Sequence, residues 1–120
     1  MSNKVLIIDD DARNIFALSA TLKAKKIPTL GAGSAAEGFE LLDSEPGINV
    51  VLMDMMMPGM DGYEAMAKIR QHEKFRDLYL IAVTAQAMTG DKEKCLAAGA
   101  DEYIAKPIDV DRLLSLINQV

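Results

Sequence analysis

The chain has 120 residues, half of them hydrophobic, with 18 acidic and 13 basic side chains for a net charge of −5, one cysteine and no tryptophan. That length and apolar fraction suit one domain with one core; a lone cysteine excludes an internal disulfide framework, and the acidic balance argues against direct nucleic-acid binding, which needs a basic surface. The purely apolar runs reach about four residues, against the ~20 of a membrane-spanning helix, and the N-terminus runs straight into three aspartates, unlike a signal peptide. We therefore expect one soluble, cytoplasmic domain over residues 1–120, with no membrane partner.

Val5–Ile8 is a continuous apolar run, as in a strand buried on both faces. Asp11 follows in the position of a helix cap, and Ile15, Leu18 and Leu22 then share a helical face. Pro28-Thr29-Leu30 is a weaker strand, pushed by Pro28 towards a sheet edge. Ser34 with Glu37 reads as a capping box for a helix that carries Ala35, Phe39 and Leu42 on one face. Val50–Met53 is the second continuous run, Asp61 with Glu64 a second capping box, and Leu80–Val83 the third run. Gly99 stops a helix after Leu96-Ala97-Ala98, and Glu102–Ala105 is another weak strand. Asp109 caps a last helix bearing the stripe Val110, Leu113, Leu114 and Ile117. Five strand–helix units in alternation define an α/β domain, with right-handed crossovers building one doubly wound parallel sheet.

In such a sheet ligands bind outside the carboxyl ends of the strands. The first strand there ends in Asp9-Asp10-Asp11, the third in Asp54 and the fourth in Thr84, and the fifth is followed by Lys106-Pro107. Asp9, Asp10 and Asp54 would raise one another's pKa unless a cation neutralised them; hard oxygen ligands with room for water favour Mg²⁺. Lys106 is suited to a phosphoryl oxygen or a carboxylate, and the Thr84 hydroxyl can donate to the same oxygen. Each residue alone has an ordinary structural reading, Thr84 as a strand residue and Lys106 as a solvated lysine. Together they describe a phosphoryl-transfer site with a carboxylate nucleophile. Asp9, Asp10, Asp54 and Lys106 hold −2 of the net charge, which one Mg²⁺ would cancel.

Over nearly its whole length the sequence resembles the receiver (response-regulator) domain of two-component signalling. The resemblance rests on Asp9-Asp10 after Val5–Ile8, Met53-Asp54 followed by Met57-Pro58-Gly59-Met60-Asp61-Gly62, Val83-Thr84-Ala85, and Lys106-Pro107. Thr84 and Lys106 stand 30 and 52 residues after Asp54. Asn14 and Ala105–Ile108 are most similar to receivers of hybrid histidine kinases. The resemblance implies a flavodoxin-like sheet of order 2-1-3-4-5 with helices on both faces, and a cis Lys106–Pro107 peptide. It further implies that Asp54 takes a phosphoryl group from a phosphohistidine on a histidine kinase or histidine phosphotransfer protein. Mg²⁺ would be held by Asp10, Asp54 and the backbone carbonyl of Met56, with Asp9 acting through water. Lys106 and Thr84 would hold the phosphoryl oxygens. Thr84 would then move and Tyr103 rotate inward, remodelling the face of the fourth helix, fifth strand and fifth helix for a downstream protein or output domain. Such a domain catalyses its own modification and is not an enzyme on a free substrate. Asp11 stands where the hybrid-kinase pattern often has Asn, as a third carboxylate that either tightens Mg²⁺ binding or only caps the helix. Met56 and Gln86 stand where the family varies the lifetime of the phosphoryl group.

Other readings rank lower. A haloacid-dehalogenase-like phosphatase would use Asp9 as nucleophile but wants Thr or Val where Arg13 stands, and leaves Asp54 without a role. A phosphorylation-independent interaction module of the same fold would not need Asp10, Asp54, Thr84 and Lys106 together. Gly31-Ala32-Gly33-Ser34-Ala35-Ala36 formally fits a dinucleotide-binding pattern, yet Ser34 already has a capping role. The methionines around Asp54 serve as core or adaptable contact surface, with Met53 in the core. His72 is expected to be exposed and idle, and Cys95 to be a small packing residue. Tyr103 fits simple packing at the sheet edge as well as the switch.

Overall fold

The computed structural model of the chain describes residues 3–56, 62–84 and 90–120. Among these residues strands and helices alternate: β1 (Val5–Ile8), α1 (Ala12–Ala24), β2 (Thr29–Ala32), α2 (Ala35–Ser44), β3 (Val50–Asp54), α3 (Gly62–Gln71), β4 (Tyr79–Thr84), α4 (Asp91–Ala98), β5 (Glu102–Ala105) and α5 (Val110–Asn118). The strands pair in parallel in the order β2-β1-β3-β4-β5, the expected doubly wound sheet.

The continuous apolar runs follow from burial on both faces. Val5 and Ile7 of β1, with Val50, Leu52, Ile81 and Val83, pack against Leu22 of α1 and Leu113 and Ile117 of α5. Their neighbours Leu6 and Ile8, with Val51, Met53, Leu80 and Ala82, pack against Leu42, Met66, Ile69 and Cys95 on the other side. Side chains alternate between the faces of a strand, so a strand covered on both sides needs apolar residues at every position. Each large side chain fully buried in this way contributes about 1.5–3 kcal/mol. Met53 and Cys95 are core residues, as expected.

β2 departs from the sequence reading, since it runs on through Gly31 and Ala32. It is an edge strand, as Pro28 dictates, and the Pro28 carbonyl accepts the Val5 N–H at 2.9 Å. A Cβ at Gly31 would overlap Cγ2 of Ile15, so the glycine lets α1 lie directly on the strand. That packing accounts for the glycine without any dinucleotide.

The caps form as their residue types dictate. Asp11 Oδ1 accepts the Arg13 N–H at 2.9 Å, Ser34 Oγ the Glu37 N–H at 3.2 Å, and Asp109 Oδ1 the Arg112 N–H at 3.3 Å. The box at α2 is displaced by one residue: Glu37 Oε2 accepts the N–H of Gly33, not that of Ser34. Gly99 ends α4 at φ 122°. The box expected from Asp61 lies outside the described residues.

At the opposite end of the sheet from the strand carboxyl ends, Arg70 ties three segments together. Its Nε donates to Gly99 O at 2.9 Å, Nη1 to Arg76 O and Leu78 O at 2.7 Å each, and Nη2 to Asp101 Oδ2 at 2.8 Å. Asp101 Oδ2 also accepts the Leu80 N–H at 2.9 Å. Among the described residues no helix is long and apolar enough to cross a membrane.

Candidate functional site

β1 and β3 are neighbours with Ile8 opposite Met53, so Asp9 and Asp54 leave the sheet edge side by side. β1 leads outward to β2 whereas β3 returns on its other flank, which makes this edge the topological switch point. Asp9, Asp10 and Asp54 each place a carboxylate oxygen within 4.8 Å of the others. Asp9 and Asp54 are buried, and Asp10 is exposed.

Lys106 lies between the two buried carboxylates, with Nζ 3.5 Å from Asp9 Oδ2 and 3.9 Å from Asp54 Oδ2. Asp9 Oδ1 accepts the Asp11 N–H at 2.8 Å, and Asp9 Oδ2 is also 3.5 Å from Asn14 Nδ2. Asp54 Oδ1 accepts the Met56 N–H at 2.9 Å. Burial pushes the Asp54 carboxyl above its ordinary range, and the charges of Asp9 and Asp10 push the same way, against the Met56 N–H and Lys106. Asp11 serves as the α1 cap, and its contacts with Arg13 hold its carboxyl below the usual range.

Thr84 is buried at the end of β4, opposite Ala105 of β5. Its carbonyl accepts the Lys106 N–H at 2.8 Å, and the Met55 N–H donates to Val83 O at 2.9 Å, holding the turn after Asp54 against β4. The Lys106–Pro107 peptide is cis. Tyr103 is half-buried against the core on the α2–α4 side of the sheet, while Met56 is 51% exposed beside Asp54. Met57, Pro58, Gly59, Met60, Ala85 and Gln86 lie outside the described residues. His72 is exposed, stacks on Phe75 at 4.2 Å and accepts the Lys74 N–H at Nδ1.

Two contributors to the site, Gly62 and Asn14, stand in the sequence reading only among the residues of the resemblance, with no role assigned. Gly62 opens α3 where a Cβ would stand 2.7 Å from Met55 Cα and 2.9 Å from Asp54 O, so only glycine lets the helix start this close to the Asp54 turn. Asn14 reaches Asp9 because the Asp11 cap starts α1 directly after the strand. The Asn five residues beyond a strand-end Asp, on the first turn of a capped helix, is the signal that points to it.

Chemically, three hard carboxylate oxygens beside one ammonium group suit an oxygen-seeking divalent cation and an anionic tetrahedral group next to it. Three clustered carboxylates against the one ammonium group of Lys106 leave net negative charge around a set of hard oxygen donors, so these residues fit Mg²⁺.

The fold and site define a doubly wound α/β protein with carboxylates at its switch point and a lysine just after its edge strand β5. The chain belongs to the response regulator receiver domain family, whose model matches residues 5–118. It is 28% identical over 116 residues to the two-component response regulator ORR5 of Oryza sativa subsp. japonica, covering 94% of this chain and 87% of that protein. It is 38% identical over 113 residues to the signal transduction histidine-protein kinase BarA of Shigella flexneri, covering 94% of this chain but only 12% of the kinase. Similar solved structures include two at 28% identity. One is the receiver domain of Ssk1 from Saccharomyces cerevisiae, co-crystallised with the histidine phosphotransfer protein Ypd1 (TM-score 0.89, 98% of this chain and 88% of that one). The other is the receiver domain of a Pseudomonas aeruginosa sensor histidine kinase with a magnesium ion in its active-site cleft (TM-score 0.87, 99% and 97%).

Proposed function

We propose that residues 1–120 form one cytoplasmic receiver domain of a phosphorelay, with Asp54 as its phosphoacceptor. The observation that carries this reading is Lys106 Nζ set between buried Asp9 and Asp54, on the strand end next to Thr84. An oxygen of the Asp54 carboxylate attacks the phosphorus of a partner's phosphohistidine. The P–N bond breaks, its electron pair stays with the imidazole nitrogen, and an acyl phosphate forms on Asp54. Lys106 moves onto a phosphoryl oxygen as charge builds there, and the Thr84 hydroxyl donates to another. Mg²⁺, held by Asp10, Asp54 and the Met56 carbonyl with Asp9 acting through water, would supply positive charge against the carboxylates and the incoming phosphoryl oxygens.

The likeness to the Ypd1-bound receiver and to BarA supports a histidine phosphotransfer protein or histidine kinase as donor, and the magnesium-bound neighbour supports the metal. The new phosphoryl group favours a conformer in which Thr84 shifts and Tyr103 turns inward, changing the α4–β5–α5 face offered to a downstream partner or output domain. The domain modifies itself and does not turn over a free substrate. A phosphatase acting through Asp9 is disfavoured because it leaves the buried Asp54, beside Lys106, without a role. The test is intact-mass measurement after incubation with Mg²⁺ and acetyl phosphate. A phosphoryl adduct on the wild type that Asp54→Ala abolishes supports the reading; an undiminished adduct on Asp54→Ala contradicts it.

A further inference from the structure

Asp9 Oδ2 takes two donors of different kinds, Lys106 Nζ and Asn14 Nδ2, each at 3.5 Å, while Asp9 Oδ1 is occupied by the Asp11 N–H at 2.8 Å. Asp9 is 4% exposed, so every donor it loses is hard to replace. Asn14 and Lys106 both line a cleft of about 510 Å³ between α1 and the segment from Lys106 to Val110. Lys106 is common to Asp9 and Asp54, and to serve a phosphoryl group on Asp54 it must slacken its hold on Asp9. An unpaired buried carboxylate oxygen would oppose that movement. Asn14 supplies a donor that does not leave. Its amide is neutral, so it draws less strongly than a cation towards the phosphoryl charge.

We infer that Asn14 is a positioning residue for phosphoryl transfer, holding Asp9 Oδ2 so that Lys106 can pass to the phosphoryl group. The inference rests on Asp54 being the phosphoacceptor. Asn14→Leu removes the donor at similar size in a helix position that tolerates leucine. Asn14→Gln keeps the amide.

The experiment measures the rate of Asp54 phosphorylation at saturating Mg²⁺ and acetyl phosphate. Asn14→Leu should slow it about five- to tenfold, the scale of one hydrogen bond, with Asn14→Gln within about twofold of wild type. A metal-free readout accompanies it: thermal unfolding in EDTA of Asn14→Leu, Asp9→Ala and the double variant, whose effects should be non-additive. A folded Asn14→Leu at the wild-type rate, an Asn14→Gln as slow as Asn14→Leu, or an additive cycle would each overturn the inference. Should the wild type itself form no adduct, the phosphoacceptor reading falls and the inference with it. Full-rate transfer in Asn14→Leu defeats the inference alone.

Discussion

The backbone N–H of Lys106 donates to the carbonyl of Thr84 across 2.8 Å, so the site's lysine and its hydroxyl are fixed to each other by the sheet itself. Thr84 stands opposite Ala105 in the β4–β5 register, and a one-residue slip would turn every side chain of β5 to the wrong face. The ladder that builds the core thus also sets the backbone spacing of the two residues proposed to serve one phosphoryl. What remains adjustable is the side chain of Lys106, which reaches from this anchor back to Asp9 and Asp54.

Lys106→Met should therefore destabilise the metal-free protein. A fully buried ion pair loses ~3–5 kcal/mol when one partner is removed. Lys106 keeps 26% of its side-chain exposure, and its contacts are 3.5 and 3.9 Å. We expect a loss of about 1–2 kcal/mol in urea unfolding with EDTA, reduced by millimolar Mg²⁺. Equal stability with and without the lysine in EDTA would mean that it neutralises neither carboxylate.

Asp54→Asn should do the opposite. The folded-state pKa of Asp54 lies above the ordinary 3.8, so the native state binds more protons than the unfolded chain between those two values, and stability falls as pH rises through that window. Ionised Asp54 thus costs stability at neutral pH, and Asn at this position removes the cost. In EDTA at pH 7 the variant should melt a few degrees higher than wild type. The gap should close as pH falls through the native pKa towards 3.8, and Mg²⁺ should narrow it from the wild-type side. A variant that melts lower in EDTA at pH 7 would contradict this.

Gly62→Ala tests the closeness of α3 to the Asp54 turn. Alanine is the better helix former by about 1 kcal/mol, yet its Cβ would meet backbone at Met55 and Asp54, where nothing flexible can yield. We expect a net loss of about 1–3 kcal/mol, as for overpacked cores, together with slower adduct formation because Asp54 is displaced. A stabilised variant with unchanged phosphorylation would show that the helix start can relax freely.

Arg70→Ala addresses stability away from the chemistry. It removes bonds to Gly99, Arg76, Leu78 and Asp101, leaving three carbonyls and a carboxylate to find water. Partial exposure softens the effect, and we expect a loss of about 2–3 kcal/mol in chemical denaturation. The fraction of Asp54 phosphorylated at low temperature should be unchanged. Loss of phosphorylation in a variant that remains folded would connect this end of the sheet to the site.

The sequence makes some of this legible and hides the rest for physical reasons. The runs Val5–Ile8, Val50–Met53 and Leu80–Val83 announce buried parallel strands because both faces of each must be apolar. Asp11, Ser34 and Asp109 announce helix starts because few side chains satisfy those N–H groups. β2 was legible only to Leu30. Gly31 and Ala32 stand outside the expected strand, because the close approach that calls for Gly31 comes from Ile15 on another element. Glu37 closes on Gly33, a choice set by backbone geometry that residue types alone do not encode. The convergence of Asp9, Asp10, Asp54 and Lys106 follows from the fold class, whereas the Arg70 clamp and the Asn14–Asp9 contact are tertiary and leave no periodic trace.

The central claim is that the side chain of Asp54, and no other, carries the phosphoryl group. Borohydride reduction of protein treated with acetyl phosphate and Mg²⁺, followed by peptide mapping, reads this directly, since an acyl phosphate on aspartate is reduced to homoserine. We predict homoserine at position 54, dependent on Mg²⁺. Homoserine at position 9 or 10, or none in protein that carries a stable phosphoryl adduct, would contradict the account.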